Sequence, residues 1–525
     1  METNPPEGRR TDQPGRRALR TPLLAAACLI CAINAANITR QIQATSPRSP
    51  WEATEVMEAW RSLHGLPVYE LGPEGHATHF YGALMPWIQG ELFRWVGPNN
   101  RTGRVVTLIG ALATITLIAV STRARREPLI LFLVWAALLG LNHVTMQYFV
   151  ENRPDMPALF LTAAAIAMLA RGFDRTRITP IVVGTACLLV GFFLKQTAAA
   201  FAAVPAVVIV LRGRRPTRAE VALALVPMAA MAGVLFFLKL AFPAVYHYMI
   251  VIPGSYRIEW HRLPGAARLL ALPCALALAL ATDWLLAIRS RVESSRDPRM
   301  IWVLATLAIA FPSSLAAYAK VGGVANSLLP ALLAMIAFIA LRLPASMARL
   351  ERGLRSTRLL AIAGIVSAIL MLLASFPYVR APLINPLPGW EPRYHRAVEA
   401  LAKVPGNVIC PEDPTVPLFA RSYAGRSLFA ELDAHPSGGR LPESLPGTVV
   451  AEINRADYVV DIRECWWDHL VERDLRGLGF VPADEMLPDL HPYRLWRRGD
   501  ATQNPTPRTA WNSADREPRR VAASR

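Results

Sequence analysis

The chain has only four lysines, Lys195, Lys239, Lys320 and Lys403, among 56 basic residues, and three of them lie in or beside long apolar stretches. A cation inside or at the rim of a bilayer is costly and marks a functional candidate. Gln196 follows Lys195, and Gly322, Gly323 and Asn326 follow Lys320 in AKVGGVAN. Lysine and amide donors, with glycines that let backbone N–H groups approach a ligand, suit an anion. For each lysine alone, snorkelling to the interface is the competing reading.

NRPD at Asn152 to Asp155 adds a third cation. Pro154 fits a tight turn or helix start and Asp155 can cap the following helix. Arg153 is then an interface cation that either snorkels or pairs with Asp155 or a phosphate. Glu52, Glu55 and Glu58 recur every third residue, so they share a helix face. Such carboxylates can remove a proton from a hydroxyl or hold a metal, unless the face is simply solvated. His76 and His79 in GHATHF are a weak zinc signal without a placed carboxylate, and no metal or other cofactor is assigned. His247, Tyr248, Tyr256, Arg257 and His261 fall in one loop and line the same cavity or anchor at the interface.

These residues are positioned by apolar runs near 19–38, 104–121, 128–150, 155–170, 178–195, 196–211, 219–243, 264–288, 300–319, 326–341 and 359–377. Their lengths match a hydrocarbon core about 30 Å thick, so the fold is a polytopic α-helical membrane protein with about eleven spans. The net charge of +17 would suggest nucleic acid in a soluble protein. Here the arginines concentrate in the N-terminus and in the loops at 123–126, 171–177, 212–218, 289–299 and 342–358, as the positive-inside rule expects. Nucleic acid is therefore set aside. A cytoplasmic segment 1–18 leads into a membrane domain 19–377 whose first outer loop, 39–103, holds two short helices, Trp51 to His64 and Ala83 to Val96, over the mouth of the bundle. The segment 378–500 reads as a small outer α/β domain, with β-like runs at 407–410, 457–462 and 493–496 and helical runs at 394–403 and 467–478. Residues 501–525 have the composition of a disordered tail. Cys410 and Cys465 both fall in the outer domain, where an oxidising compartment permits a bridge.

Taken in order, WEATEVMEAWRSLHGLPVYE, FYGALMPWIQGELFRWVGPNNRTGRVVTLIGAL, NRPDMPALFLTAAAIAML, FFLKQTAAAF and AKVGGVANSLLPALL resemble the GT-C membrane glycosyltransferases, among them the bacterial relatives of the dolichyl-phosphate-mannose-protein mannosyltransferases. The resemblance covers about residues 20–340. It implies a sugar donor on a polyprenyl phosphate and transfer with inversion to an acceptor hydroxyl on a glycan, lipid or protein; the positive-inside alternation puts the site on the outer face, and arginine use favours a bacterial plasma membrane. The resemblance makes Glu52 the catalytic base, with Glu55 second. Lys195, Lys320 and Arg153 hold the donor phosphate, supported by Asp155, Gln196, Asn326, Tyr81, Arg257 and His261. The chain departs from the usual pattern where Trp51 precedes Glu52 and Ala53 follows it, so a two-carboxylate metal site is not expected. A transporter or a lipid-binding assembly protein is the alternative, and Lys239 and Asp283 are the residues that favour it.

Overall fold

The computed structural model describes residues 14–71, 80–140, 148–290, 297–354, 356–384, 390–421, 427–429, 431, 444–463, 468–486 and 491–499. His76, His79, Cys465 and the tail 501–525 lie outside them. The fold is mostly helical, with one small sheet.

Among the described residues, eight helices are long and apolar enough to cross a membrane, and three shorter apolar helices fall on the other expected runs. In chain order the body comprises α1 (Pro14–Gln43), α2 (Pro50–Leu63), α3 (Leu84–Val96), α4 (Asn100–Ser121), α5 (Pro128–Gly140), α6 (Asp155–Asp174) and α7 (Ile178–Leu194). It continues through α8 (Val204–Leu211), α9 (Arg218–Ala241), α10 (Leu263–Arg289), α11 (Pro298–Ala319), α12 (Leu329–Gly353) and α13 (Thr357–Ile384). The run at 196–211 starts as a 3-10 helix, Gln196–Ala203, before becoming α8. Its steeper rise of about 2.0 Å per residue lengthens a short segment. This is a multi-pass membrane protein.

Antiparallel packing gathers the arginine-rich termini at one end. There Arg20 pairs with Glu127 and Glu351, Arg212 with Asp174 and Glu220, and Arg349 with Asp283. Asp283 is therefore part of an ion-pair belt at a helix end rather than a midplane charge. Lys239 is exposed in the last turn of α9, at the other end. Neither residue has the buried midplane placement of a transport site.

The C-terminal unit contains α14 (Trp390–Leu401), α15 (Thr415–Arg421), α16 (Gly447–Ile453) and α17 (Asp468–Gly477). Its strands are β1 (Val408–Ile409), β2 (Tyr458–Ile462), β3 (Phe480–Pro482) and β4 (Tyr493–Arg498). The sheet order is β1-β2-β4-β3, with β1 parallel to β2 and the other pairs antiparallel. The period of two sends Val408, Val460, Ile462 and Leu495 to the face covered by α14 and α15. Ile409, Val459, Phe480 and Trp496 face α16 and α17. The three expected strands are present, and β3 is an addition: three residues ending in a proline make a weak pattern.

This unit sits on α2. Leu418 and Phe419 pack with Val56, Met57, Ala59, Trp60 and Phe93. Thr54 Oγ1 lies 2.7 Å from Ser427 Oγ. Consequently Glu52, Glu55 and Glu58 are all buried, and the solvated-face reading of α2 is corrected. Of the two first-loop helices, α3 keeps an open apolar side, with Trp87 and Trp95 exposed.

Asp413 is buried in the C-terminal unit, where its Oδ1 accepts from the Thr415 amide at 3.0 Å and hydroxyl at 2.5 Å. Burial pushes its carboxyl up to about 6, against the pull of those two bonds. A carboxyl raised above its unfolded value binds a proton more readily when folded. Its contribution is thus full below the unfolded value near 4 and lost as pH rises through 6. Asp413→Asn keeps both acceptor bonds without the charge. We expect it to raise stability at pH 7.5 by up to about 3 kcal/mol, with no gain at pH 4, in thermal melts at both pH values.

Candidate active site

The site forms where α6 begins. Gly103 and Gly110 are one face of α4, and a Cβ on them would lie 2.0 Å from Asn152 Oδ1 and 2.6 Å from the Pro157 nitrogen. Their bareness lets α4 and the start of α6 meet closely. Asn152 exchanges two hydrogen bonds with Gln89 of α3, and Thr107 Oγ1 donates to the Arg153 carbonyl at 3.1 Å. The NRPD segment is thereby fixed between α3 and α4.

Arg153 is 3% exposed. Its guanidinium lies 5.4 Å from the ring centres of both Trp51 and Tyr148, and Nε donates to Glu151 Oε1 at 2.8 Å. It thus pairs with Glu151, not with Asp155. Asp155 is the first residue of α6, and Pro154 occupies the cap position without a side-chain cap bond. The Asp155 carboxylate instead meets Lys195 through Oδ1 and Asn326 Nδ2 at 3.3 Å through Oδ2. One acid at the head of α6 therefore joins the end of α7 to the start of α12.

Lys195 is an extended residue that ends α7, buried to 8% exposure. The first loop is stitched to it: Gly82 N–H donates to the Leu194 carbonyl at 3.2 Å, and Gln196 Nε2 to the Phe80 carbonyl at 2.9 Å. This seats the Tyr81 ring 5.0 Å from Lys195 Nζ. Tyr81 is also within electrostatic range of Arg153. Tyr69 donates its hydroxyl to the Tyr81 carbonyl, and burial together with nearby Glu58 and Glu55 holds the Tyr69 phenol well above its ordinary value.

Lys320 is placed apart from this group. Its Nζ donates to the Pro253 carbonyl at 2.8 Å, and burial holds its ammonium below the ordinary value. Arg262, which the sequence did not single out, donates to the Lys320 and Gly323 carbonyls and fixes the loop. Arg257 and His261 are exposed. Tyr248, from the same loop, is buried against Tyr69 and Phe80.

Glu52 has a partner that sequence reading missed. Arg104 is fully buried in the first turns of α4 and forms a bidentate pair with it, Nε to Oε1 at 3.0 Å and Nη2 to Oε2 at 2.6 Å. The Asn152 amide adds 2.8 Å to Oε1 and the Arg48 amide 2.7 Å to Oε2. Burial alone would raise the Glu52 carboxyl, but Arg104 and these two amides hold it below its ordinary value. The available signal was an arginine set inside the first turns of a span rather than before it, at the end away from the arginine-rich loops. Among the described residues, no three His, Cys, Asp or Glu side chains group around one metal position.

Removing one member of a buried pair leaves an uncompensated charge, a loss of about 3–5 kcal/mol. We expect Lys195→Met to destabilise on that scale. Adding Asp155→Asn should recover most of the loss in a double-mutant cycle followed by thermal melting in detergent.

No family model matches the chain, and no curated protein sequence matches it. Among solved structures it is similar to ArnT from Cupriavidus metallidurans in the apo state, with 14% identity, a TM-score of 0.56 and coverage of 91% of this chain and 98% of that one. The same protein bound to undecaprenyl phosphate matches with 14% identity, a TM-score of 0.53 and coverage of 90% and 97%. At this identity the likeness is one of fold: the chain shares the fold of the two ArnT structures.

Proposed function

We propose that the protein transfers a sugar from a polyprenyl-phosphate donor to an acceptor hydroxyl, at the bundle end opposite the arginine-rich loops. The observation that carries this reading is the convergence of two buried cations, Lys195 and Arg153, with Tyr81 and Asp155 beneath the first loop. The chain also shares its fold with a protein crystallised with undecaprenyl phosphate. The concentration of arginine in the loops of the opposite end supports an outer-face position for this one in a plasma membrane.

In the proposed step the acceptor oxygen attacks the anomeric carbon as the bond to the phosphate oxygen breaks, so the centre inverts. The phosphate leaves with the bonding electrons, and Lys195 and Arg153 stabilise its charge. Lys320 joins them by exchanging the Pro253 carbonyl for the anion. Gln196 and Asn326 hold the walls, and Arg257 and His261 lie at the mouth. A first-loop carboxylate, Glu52 or Glu55, takes the acceptor proton. The step uses the chain's own charges and calls on no metal ion. The C-terminal unit, over α2, faces the acceptor side.

The test is to incubate the protein in lipid with a panel of polyprenyl-phosphate sugars and envelope acceptors, and to follow release of free polyprenyl phosphate. We expect release that persists in EDTA and falls at least about 100-fold in Lys195→Ala and Arg153→Ala. Donor binding should weaken more in Lys195→Ala than in Glu55→Gln. Absence of release with every donor and acceptor would overturn the reading.

A further inference from the structure

A general base must present a free lone pair to the hydroxyl it deprotonates. Glu52 presents none in this arrangement. Both oxygens accept two hydrogen bonds each, from Arg104 Nε and the Asn152 amide, and from Arg104 Nη2 and the Arg48 amide. Arg104 is equally committed. Its Nη1 donates to the Gln41 and Ala44 carbonyls at 3.0 and 2.5 Å, and its Nη2 also donates to the Ser46 carbonyl at 2.7 Å. With the two bonds to Glu52, all five guanidinium N–H groups are used. A group that dismantled this pair to take a proton would leave a fully buried arginine charge uncompensated.

The same network reaches the C-terminal unit. Glu391, in the first turn of α14, accepts from the amides and hydroxyls of both Thr45 and Ser46. Those hydrogen bonds hold its carboxyl below the ordinary value although burial opposes them. Ser46 is thus held on one side by the docked unit and on the other by Arg104. In the opposite direction Glu52 fixes the Asn152 amide, and Arg153 and Asp155 follow directly in the chain.

We infer that Glu52 is a positioning residue acting through Arg104. The pair couples the seat of the C-terminal unit at Glu391 to the placement of Arg153 and Asp155, and of the two carboxylates in the transferase reading it leaves Glu55 to take the acceptor proton. The kinetic part rests on the transferase reading; the structural part does not.

The test compares Glu52→Gln, Arg104→Lys, their double variant, Glu55→Gln and Glu391→Gln. The readouts are thermal melting, limited trypsin digestion of the C-terminal unit, and kcat and donor KM across pH. Glu52→Gln and Arg104→Lys are expected to melt lower and to expose the C-terminal unit to trypsin. Glu391→Gln should expose that unit as well. The two single variants should raise donor KM by about 10- to 100-fold, lower kcat less than about tenfold, and leave the acid limb of the pH profile in place. The double variant should be no worse than the worse single one. Glu55→Gln should lose at least about 100-fold in kcat. A Glu52→Gln protein that melts as the parent does, but has lost kcat by about 1,000-fold along with the acid limb, would overturn the inference. Should Glu52→Gln not fold, Arg104→Lys retains the charge and decides by the same measures. If the parent releases no polyprenyl phosphate, the transferase reading fails by itself. Melting and digestion then still decide, and parent-like behaviour of both single variants refutes the positioning role.

Discussion

A fully buried charge pair can persist only if every donor and acceptor is satisfied, and the pair between Glu52 and Arg104 meets that condition. Its geometry constrains four chain segments at once: the end of α1 through Gln41 and Ala44, the first loop through Ser46 and Arg48, α4 through Arg104 itself, and the approach to α6 through Asn152. None of these can shift by much without leaving a charge unpaired in a low-dielectric interior. The first loop is accordingly a built part of the interior rather than a cover lying on it. The burial of α2 under α15 follows from the same arrangement.

The membrane-spanning segments were legible because length and hydrophobicity are local properties, and the arginine-rich loops gave the alternation of ends. The C-terminal strands were legible for a similar reason: short β-prone runs, Tyr458, Val459, Val460 and Ile462 in β2 and Tyr493, Leu495 and Trp496 in β4, are local patterns even with charged residues among them. Partner choice in the site was less accessible. Asp155 stood beside Arg153 in sequence and looked like its counter-ion or a cap, yet it faces Lys195, forty residues away, because the helix start turns the two side chains apart. The partner of Lys320 is a backbone carbonyl, and a carbonyl carries no sequence signature. Arg104 reads as the flank of an apolar run, and only its place inside the first turns of the span separates it from neighbours such as Arg101.

The loop that carries Tyr248 shows a different limit. Five residues, His247–Val251, form a π-helix, and the Tyr248 hydroxyl reaches the Glu70 carbonyl at 3.0 Å. The wider turn shifts the register of the side chains that follow. It brings Tyr248 against Tyr69 and Phe80, whereas Arg257 and His261 remain outside. A list of polar residues in one loop does not contain that register, so the loop looked like one lining where the structure divides it in two.

Among the described residues, the three buried cations at this end differ in what they can still bind. Each has a carboxylate partner: Arg104 has Glu52, Arg153 has Glu151 and Lys195 has Asp155. Arg104 has no donor left. Arg153 uses Nε for Glu151 and offers its faces to two aromatic rings, while its terminal nitrogens hydrogen-bond to no described residue. Lys195 Nζ makes a hydrogen bond to Asp155 and none to any other described residue. Fork-shaped donors on Arg153 and a compact ammonium on Lys195 are complementary ways to hold a phosphate. In the proposed transfer the pair nearest Tyr81 holds the phosphate, and the saturated pair beside it supplies rigidity. That division explains how one end of the bundle can concentrate charge without collapsing into salt bridges that leave nothing for a ligand.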